Sequence, residues 1–396
     1  MLQDELKSLL EDQRLYFKKQ QETIDREISS EIRLDVPLAV ILTGIRRAGK
    51  STLLKQLMKD KSEVGYVHFD DPRFSAFEVA DFYKIEQIWP NIHQFQFDEI
   101  QQIDGWESYV RQGLERGNRY AITGSNAKLL SLELGTLLTG RHITHEVFPF
   151  SFREFCRFRE QNASLDSFQE YLTVGGFPEF VAYDIPRYHT ELFKDIIQRD
   201  IAVRNGIRNV QELTLVALHL LNNIARPYTL NKLAKSYGIK SVNTVSNFVK
   251  FYEDSYLLFS VPKFDFSFKK QQVNEKKIYA IDAKFAQQNS TQLQEDTGRI
   301  LENLVFLEIR RKTTQIWYYK KNHECDFIYQ LDGKYHAVQV CHQLNADNLA
   351  RETAGMQEAM EDVELASTTF VTTNQSEDLH IADKKVACIP FFEWAK

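Results

Sequence analysis

Apolar, β-branched runs alternate with amphipathic stretches over the first third of the chain. Leu38–Thr43, Gly65–Phe69, Gln94–Phe97, Arg119–Thr123 and Ile143–Phe148 read as strands, with helical stretches between most of them. Such alternation predicts a parallel sheet with right-handed crossovers. Ahead of it, Leu2 to Arg33 is charged, lacks Gly and Pro, and reads as helix, with Ile24, Ile28 and Ile32 as its packing stripe. Phe150 to Asn209 reads as mostly helical, interrupted by Gly175-Gly176 and Pro178, and its phenylalanines argue for burial. Val210 to Asp265 patterns as three helices. These are Leu213–Ile224, Leu230–Tyr237 between Thr229 and Gly238, and a third capped by Ser241 with Val242, Val245, Phe248, Val249 and Tyr252 inward. Strands Tyr256–Val261 and Lys277–Ile281 follow. The last hundred residues pattern as a helix, Arg299–Lys312, a strand pair, Ile316–Tyr319 and Cys325–Gln330, and a further strand, Ala337–Cys341.

A length of 396 residues predicts two or three domains, each able to bury a core. Hydrophobic residues at 43% and charged residues at 26% place the chain among ordinary globular proteins. A net charge of −6 excludes a global basic footprint, so any nucleic-acid contact has to be a local patch. Cys156, Cys325, Cys341 and Cys388 are scattered and form no Cys-x-x-Cys pair, which points to neither a zinc site nor a disulfide framework. That fits a reducing, cytoplasmic setting. The polar, acidic start is unlike a signal peptide, and no apolar run approaches the length of a membrane span.

Chemistry enters where the first strand ends. Gly44-Ile45-Arg46-Arg47-Ala48-Gly49-Lys50-Ser51 has the spacing of a phosphate-binding loop, and Thr52 to Lys59 continues as a helix with Leu53, Leu54 and Leu57 on one face. Glycines let the backbone wrap a phosphate closely, and the helix start adds its positive end. Residues 44 to 52, Thr52 included, are thus the expected nucleotide cradle. Lys50 is expected to reach the outer phosphates and Ser51 to hold Mg²⁺. Arg46 and Arg47 either touch phosphate or cap a neighbouring element. The strand Phe95-Gln96-Phe97 delivers Asp98 and Glu99 at the end where open α/β sheets bind ligands. Asp98 is expected to act on the Mg²⁺ and Glu99 to polarise the attacking water. The order of strands predicts an ATPase class with a strand inserted between the loop strand and the Asp-Glu strand. Past Thr123, Ser125 and Asn126 read either as a plain turn or as a polar sensor of the γ-phosphate.

These segments, together with Gly105-Trp106-Glu107, Leu138-Thr139-Gly140-Arg141, Pro149-Phe-Ser-Phe-Arg-Glu154, Gly175-Gly-Phe-Pro-Glu179 and Gln198-Arg-Asp-Ile201, resemble a group of prokaryotic AAA+ ATPases. The group carries a C-terminal domain of unknown function with a restriction-endonuclease-like, PD-(D/E)XK fold. The resemblance spans nearly the whole chain. It implies an N-terminal helix over 1–33, an AAA+ α/β core over 34–155, a helical lid or connector over 156–209, a winged helix over 210–285 and a nuclease-like α/β domain over 286–396. It implies ATP and Mg²⁺ as cofactors and makes a homo-oligomer plausible. Arg141 then reads either as a finger toward a neighbouring subunit's γ-phosphate or as a structural arginine paired inside its own domain. The winged helix reads either as a DNA reader, with Asn243, Thr244, Asn247 and Lys250 outward, or as a spacer. Nucleases of this architecture hold Mg²⁺ on an acid from the helix and acids from the strands. Glu302, Glu324 and Asp326 fit, but Gln339-Val340-Cys341 stands where Glu-x-Lys belongs. A neutral amide binds Mg²⁺ poorly and a thiol cannot replace an ammonium, so the fold reads as inactive and kept for binding. The expectation is an ATP-driven switch or motor acting on a partner, DNA among the candidates. The competing readings are a nucleic-acid-binding regulator in which ATP only sets conformation, and a protein–protein scaffold.

Overall fold

The computed structural model describes residues 1–18, 23–57, 64–124, 138–289 and 296–396. The chain divides into two compact units, Met1–Phe148 and Pro149–Lys396.

The first unit is built on a five-stranded sheet of β1 (Ala39–Thr43), β2 (Val64–His68), β3 (Gln94–Asp98), β4 (Arg119–Gly124) and β5 (His142–Glu146). The spatial order is β2-β3-β4-β1-β5, and every pairing is parallel. The inserted strand expected between loop strand and acidic strand is present, and it is β4. The stretch Gly65–Phe69, which precedes the acids in the chain, supplies the edge strand β2 instead. The central runs of β1 and β4 are buried on both faces, whereas the edge strand β5 is only partly buried. An aromatic cluster fills one side: Phe69, Phe74, Phe77, Phe82, Phe97, Tyr109 and Tyr120 pack ring on ring, with Phe82 stacked on Tyr109 at 4.4 Å.

The N-terminal segment differs from its reading. A helix covers Gln3–Lys18 and a separate 3₁₀ turn covers Glu27–Glu31. Leu6, Leu9 and Leu10 enter the core, and of the expected stripe only Ile32 is buried, whereas Ile24 and Ile28 are half-buried. In so charged a stretch two short apolar stripes compete, and the leucines at i, i+3, i+4 make the tighter contact.

In the second unit, helices Phe152–Phe158, Leu165–Val174, Pro178–Tyr183 and Tyr188–Asp195 lead into a π-helical stretch, Ile196–Val203, which periodicity did not predict. Helices Val210–Asn222, Leu230–Ser236 and Val242–Asp254 follow. They accompany an antiparallel sheet of β6 (Pro227–Tyr228), β7 (Leu258–Pro262) and β8 (Lys276–Ala280), ordered β6-β8-β7. Thr229 caps its helix through Lys232 N at 3.3 Å, as expected. Ser241 stands at the cap position, but its hydroxyl makes no cap bond, and Val242 is exposed rather than inward. The chain ends in a six-stranded mixed sheet: β9 (Ile316–Lys320), β10 (Glu324–Leu331), β11 (Lys334–Val340), β12 (Leu365–Thr372), β13 (Glu377–Ile381) and β14 (Lys384–Pro390), ordered β13-β14-β12-β11-β10-β9. Helix Leu349–Asp362 packs on β10, with Gly355 against the Glu324 carbonyl, where a Cβ would come within 1.9 Å.

Several of the segments that carry the resemblance have plain architectural roles. Ser151 and Glu154 form a reciprocal capping box at 3.1 and 3.0 Å. Gly175 sits at φ +79°, and Gly176 N donates to Asp282 Oδ2 at 2.7 Å while its carbonyl accepts from Phe150 N. The same Asp282 caps the next helix through Phe285 N at 2.7 Å. Asp282→Ala is expected to remove a cap and strand a buried N–H, together costing about 2–4 kcal/mol. Urea unfolding of this variant against the parent chain measures that loss.

Candidate functional site

The loop after β1 turns sharply, and the turn needs glycine. Gly44 has φ +147°, and a Cβ there would lie 2.2 Å from the Val147 carbonyl oxygen. Gly49 has φ +95° and precedes the helix Lys50–Gln56, so Lys50 and Ser51 stand in its first turn. Lys50 is buried, and its Nζ donates to the carbonyls of Gly44 and Ile45, both at 2.9 Å. The underside of the loop is held by Arg26. Its guanidinium, 6% exposed, donates to Ala48 O at 2.9 Å and Phe148 O at 2.6 Å.

Asp98 is where the elements meet. Ser51 Oγ donates to its Oδ1 at 3.0 Å, and Thr123 Oγ1 donates to the same oxygen. Tyr66 OH donates to Oδ2 at 2.9 Å, and His68 Nδ1 lies 3.4 Å from it. Burial pushes the Asp98 carboxyl up, but His68, Thr123 and Ser51 outweigh it and hold the group below the ordinary carboxylate range. Pairing with Asp98 in turn keeps His68 above its ordinary value. Glu99 follows in the left-handed region at φ +55°, a costly conformation for a non-glycine residue. It is fixed from both ends: Glu99 N donates to Thr123 Oγ1 at 2.9 Å, and Gln101 Nε2 donates to Glu99 Oε2.

The structure thus brings Gly44, Ile45, Ala48, Gly49, Lys50, Ser51, Asp98 and Glu99 to one end of the sheet. Arg47 adopts φ +66° within the loop, and Arg46 and Thr52 are half-buried beside it. Ser51 and Asp98 are hard oxygen donors at hydrogen-bond distance from each other, which suits Mg²⁺. Asn126 and Ser125 lie outside the described residues. Arg141 is not part of this cluster. It pairs with Glu115, and its carbonyl accepts from Ala39 N, at the end of β1 opposite the loop. Tyr66, His68, Gln101 and Arg26 were not read from the sequence as site residues. A histidine or tyrosine on an apolar edge strand carries no spacing that ties it to an aspartate thirty residues on.

The second unit contains an open cavity of ≈ 970 Å³ lined in part by Glu302, Glu324, Asp326, Gln339, Cys341 and Glu352. Glu302 comes from the helix Thr297–Arg310, Asp326 from β10 and Gln339 from β11, with Cys341 just beyond. Gln339 Oε1 accepts from Asp326 N at 3.1 Å and its Nε2 donates to Glu352 Oε2 at 2.6 Å. Burial raises the Cys341 thiol to about 11, so it is protonated near neutrality. Among the described residues no group of three or more His, Cys, Asp or Glu is arranged to hold a metal ion. No helix among them is long and apolar enough to cross a membrane.

A parallel sheet with a strand inserted between phosphate loop and acidic strand, and a Ser–Asp pair beneath the loop, defines a P-loop ATPase domain of the AAA type. Comparison with known proteins agrees. Residues 37–156 match the family model of an AAA domain, and residues 165–289 and 297–394 match two domains of unknown function, DUF8612 and DUF4143. Uncharacterized protein MJ1544 of Methanocaldococcus jannaschii is 32% identical over 96% of this chain and 93% of its own length. An uncharacterized protein of Haemophilus influenzae is 29% identical over 78% of this chain and 84% of its own. The chain belongs to one family with MJ1544, and carries an AAA ATPase domain followed by two domains of unknown function. Among solved structures, a Walker-type ATPase of Pyrococcus abyssi aligns over 69% of this chain and 99% of its own at 14% identity, with a TM-score of 0.44. The Orc1 protein of Aeropyrum pernix, solved in complex with DNA, aligns over 66% of this chain and 87% of its own at 11% identity, with a TM-score of 0.29.

Thr123 is the hinge of the local network, since one hydroxyl serves both acids. Thr123→Val is expected to leave Glu99 N unpaired and to take a donor from Asp98, a loss of about 1–3 kcal/mol read by urea unfolding. An unchanged midpoint would show that the hydroxyl is not needed.

Proposed function

We propose that the chain binds MgATP at residues 44–52 and hydrolyses it to switch the state in which its C-terminal half meets a partner. The observation that carries this reading is the convergence of Lys50, Ser51, Asp98 and Glu99, with Ser51 Oγ 3.0 Å from Asp98 Oδ1. The family match to an AAA domain over the same residues supports it. Bound Mg²⁺ would supply positive charge against the phosphate oxygens, held through Ser51 and Asp98. Lys50 would exchange its two carbonyl partners for phosphate oxygens, a charge-assisted contact stronger than either. Glu99, oriented by Thr123 and Gln101, would accept a proton from the attacking water. Arg141 would serve only a neighbouring copy of the chain, so its role as a finger requires a homo-oligomer.

For the partner, DNA is the candidate we put first. The helix Val242–Asp254 turns Asn243, Asn247 and Lys250 outward, a polar face with one cation. Such a face suits hydrogen bonding to base edges more than strong phosphate binding.

Lys50→Ala is expected to abolish ATP binding, measured by calorimetry. Glu99→Gln is expected to bind ATP normally while turnover falls by about 10²–10⁴-fold. Normal turnover by Glu99→Gln would sink its assignment as the base. Steady-state ATPase rates of the parent chain, alone and with single- or double-stranded DNA, decide the partner. Stimulation by DNA is expected, and its absence at low salt would remove DNA from the proposal.

A further inference from the structure

Three of the acids that line the cavity in the second unit, Glu302, Glu324 and Asp326, meet at a buried cation of the protein's own. Lys277 lies on β8, in the three-stranded sheet, and its side chain is 2% exposed. Its Nζ is 2.8 Å from Glu302 Oε1, 2.7 Å from Glu324 Oε1 and 3.1 Å from Asp326 Oδ1. An ammonium has three N–H donors, and each faces one carboxylate. The remaining oxygens are largely committed as well. Asp326 Oδ2 accepts from Val340 N at 3.0 Å, Glu324 Oε2 accepts from Lys320 Nζ at 3.1 Å, and Glu302 Oε1 also accepts from Tyr279 OH at 2.7 Å. The Tyr318 ring lies 5.7 Å from the ammonium.

We propose that Lys277 is the resident cation of this carboxylate cluster, occupying the place a divalent metal would take, so that the site binds metal only when that ammonium is removed. Active nucleases of the resembled architecture hold Mg²⁺ on acids at the positions of Glu302 and Asp326, and the residues present here do not fit that ion. The helix and strand acids point at a lysine delivered from a different sheet. At the position that would complete a metal site, Gln339 spends its amide on Asp326 N and Glu352. A metal would have to compete with a tethered charge already in contact with all three acids. Lys320 reaches only Glu324, so Glu302 and Asp326 share the single ammonium of Lys277. Burial and the proximity of Asp326 accordingly push Glu302 above its ordinary range. Removing the lysine therefore leaves a pocket of hard oxygen donors open to the cavity, the chemistry that Mn²⁺ or Mg²⁺ takes. This inference does not rest on the ATPase reading, because all its residues lie in the second unit.

The test counts Mn²⁺ bound per chain by the loss of the free-ion EPR signal, on nucleotide-free protein. The expected result is one additional Mn²⁺ on Lys277→Met relative to the parent chain, lost again in Lys277→Met/Asp326→Asn. Asp326→Asn alone should leave the parent count unchanged. Three buried acids without their cation destabilise the variant, so its melting curve is followed alongside. Added Mn²⁺ should raise the melting temperature of Lys277→Met, or restore its folding, while leaving the parent chain's unfolding unaltered. Two results would overturn the proposal: a parent-chain Mn²⁺ site that disappears with Asp326→Asn, or a Lys277→Met chain that neither gains a site nor is stabilised by Mn²⁺.

Discussion

One buried carboxylate organises the nucleotide end of this protein. Asp98 is 1% exposed and would be costly as an unpaired charge. It is made tolerable by donors from three separate places: Ser51 at the start of the loop helix, Thr123 at the tip of β4, and Tyr66 with His68 on β2. Each of these bonds also fixes a relation between elements. Ser51 ties the loop to the acidic strand, and Thr123 carries the constraint on to the backbone of Glu99. The strained φ of Glu99 persists because its neighbours over-determine it. Glu99 is thereby held in one orientation by its neighbours, at its backbone through Thr123 and at its carboxylate through Gln101.

The parts of this arrangement set by local chemistry were legible in the chain. Glycine at 44 and 49, lysine at 50 and two acids at the end of an apolar strand carry their geometry with them, because each is dictated within a few residues. The strands of the first unit begin and end within one residue of their apolar runs, apart from Ile143–Phe148, whose last two residues fall past β5. Sheet order was less legible. That β4 rather than β2 intervenes between β1 and β3 depends on which crossover packs over which strand, and neither run differs enough in hydrophobicity to say so. Arg26 was illegible for a related reason. It is one charge in a highly charged segment, and only the folded chain places it against the carbonyls of Ala48 and Phe148.

The N-terminal helix and Ser241 show how propensity yields to contact. Both sites satisfy a sequence rule, a periodic isoleucine stripe and a capping serine, yet the folded chain buries Leu6, Leu9 and Leu10 and leaves the Ser241 hydroxyl out of the cap. Lys277 is the strongest such case. The sequence marks it only as the first residue of a strand, Lys277–Ile281, whereas three acids lying 25, 47 and 49 residues further along collect around it.

The two polar centres invert each other's logic, and the inversion predicts which is open to ligand. Lys50 rests on two neutral carbonyls, each bond worth about 1 kcal/mol net, so an incoming phosphate offers it a better partner. Asp98 is meanwhile satisfied by hydroxyls that can turn to share a metal ion. Lys277 is itself buried and rests on three carboxylates, and removing one partner of a buried pair costs about 3–5 kcal/mol. A phosphate gains nothing by displacing that ammonium, because the acids behind it would repel the anion. On the proposed function, the first centre exchanges partners with each nucleotide. The second is closed by its own charge and holds β8 to the helix Thr297–Arg310 and to β10.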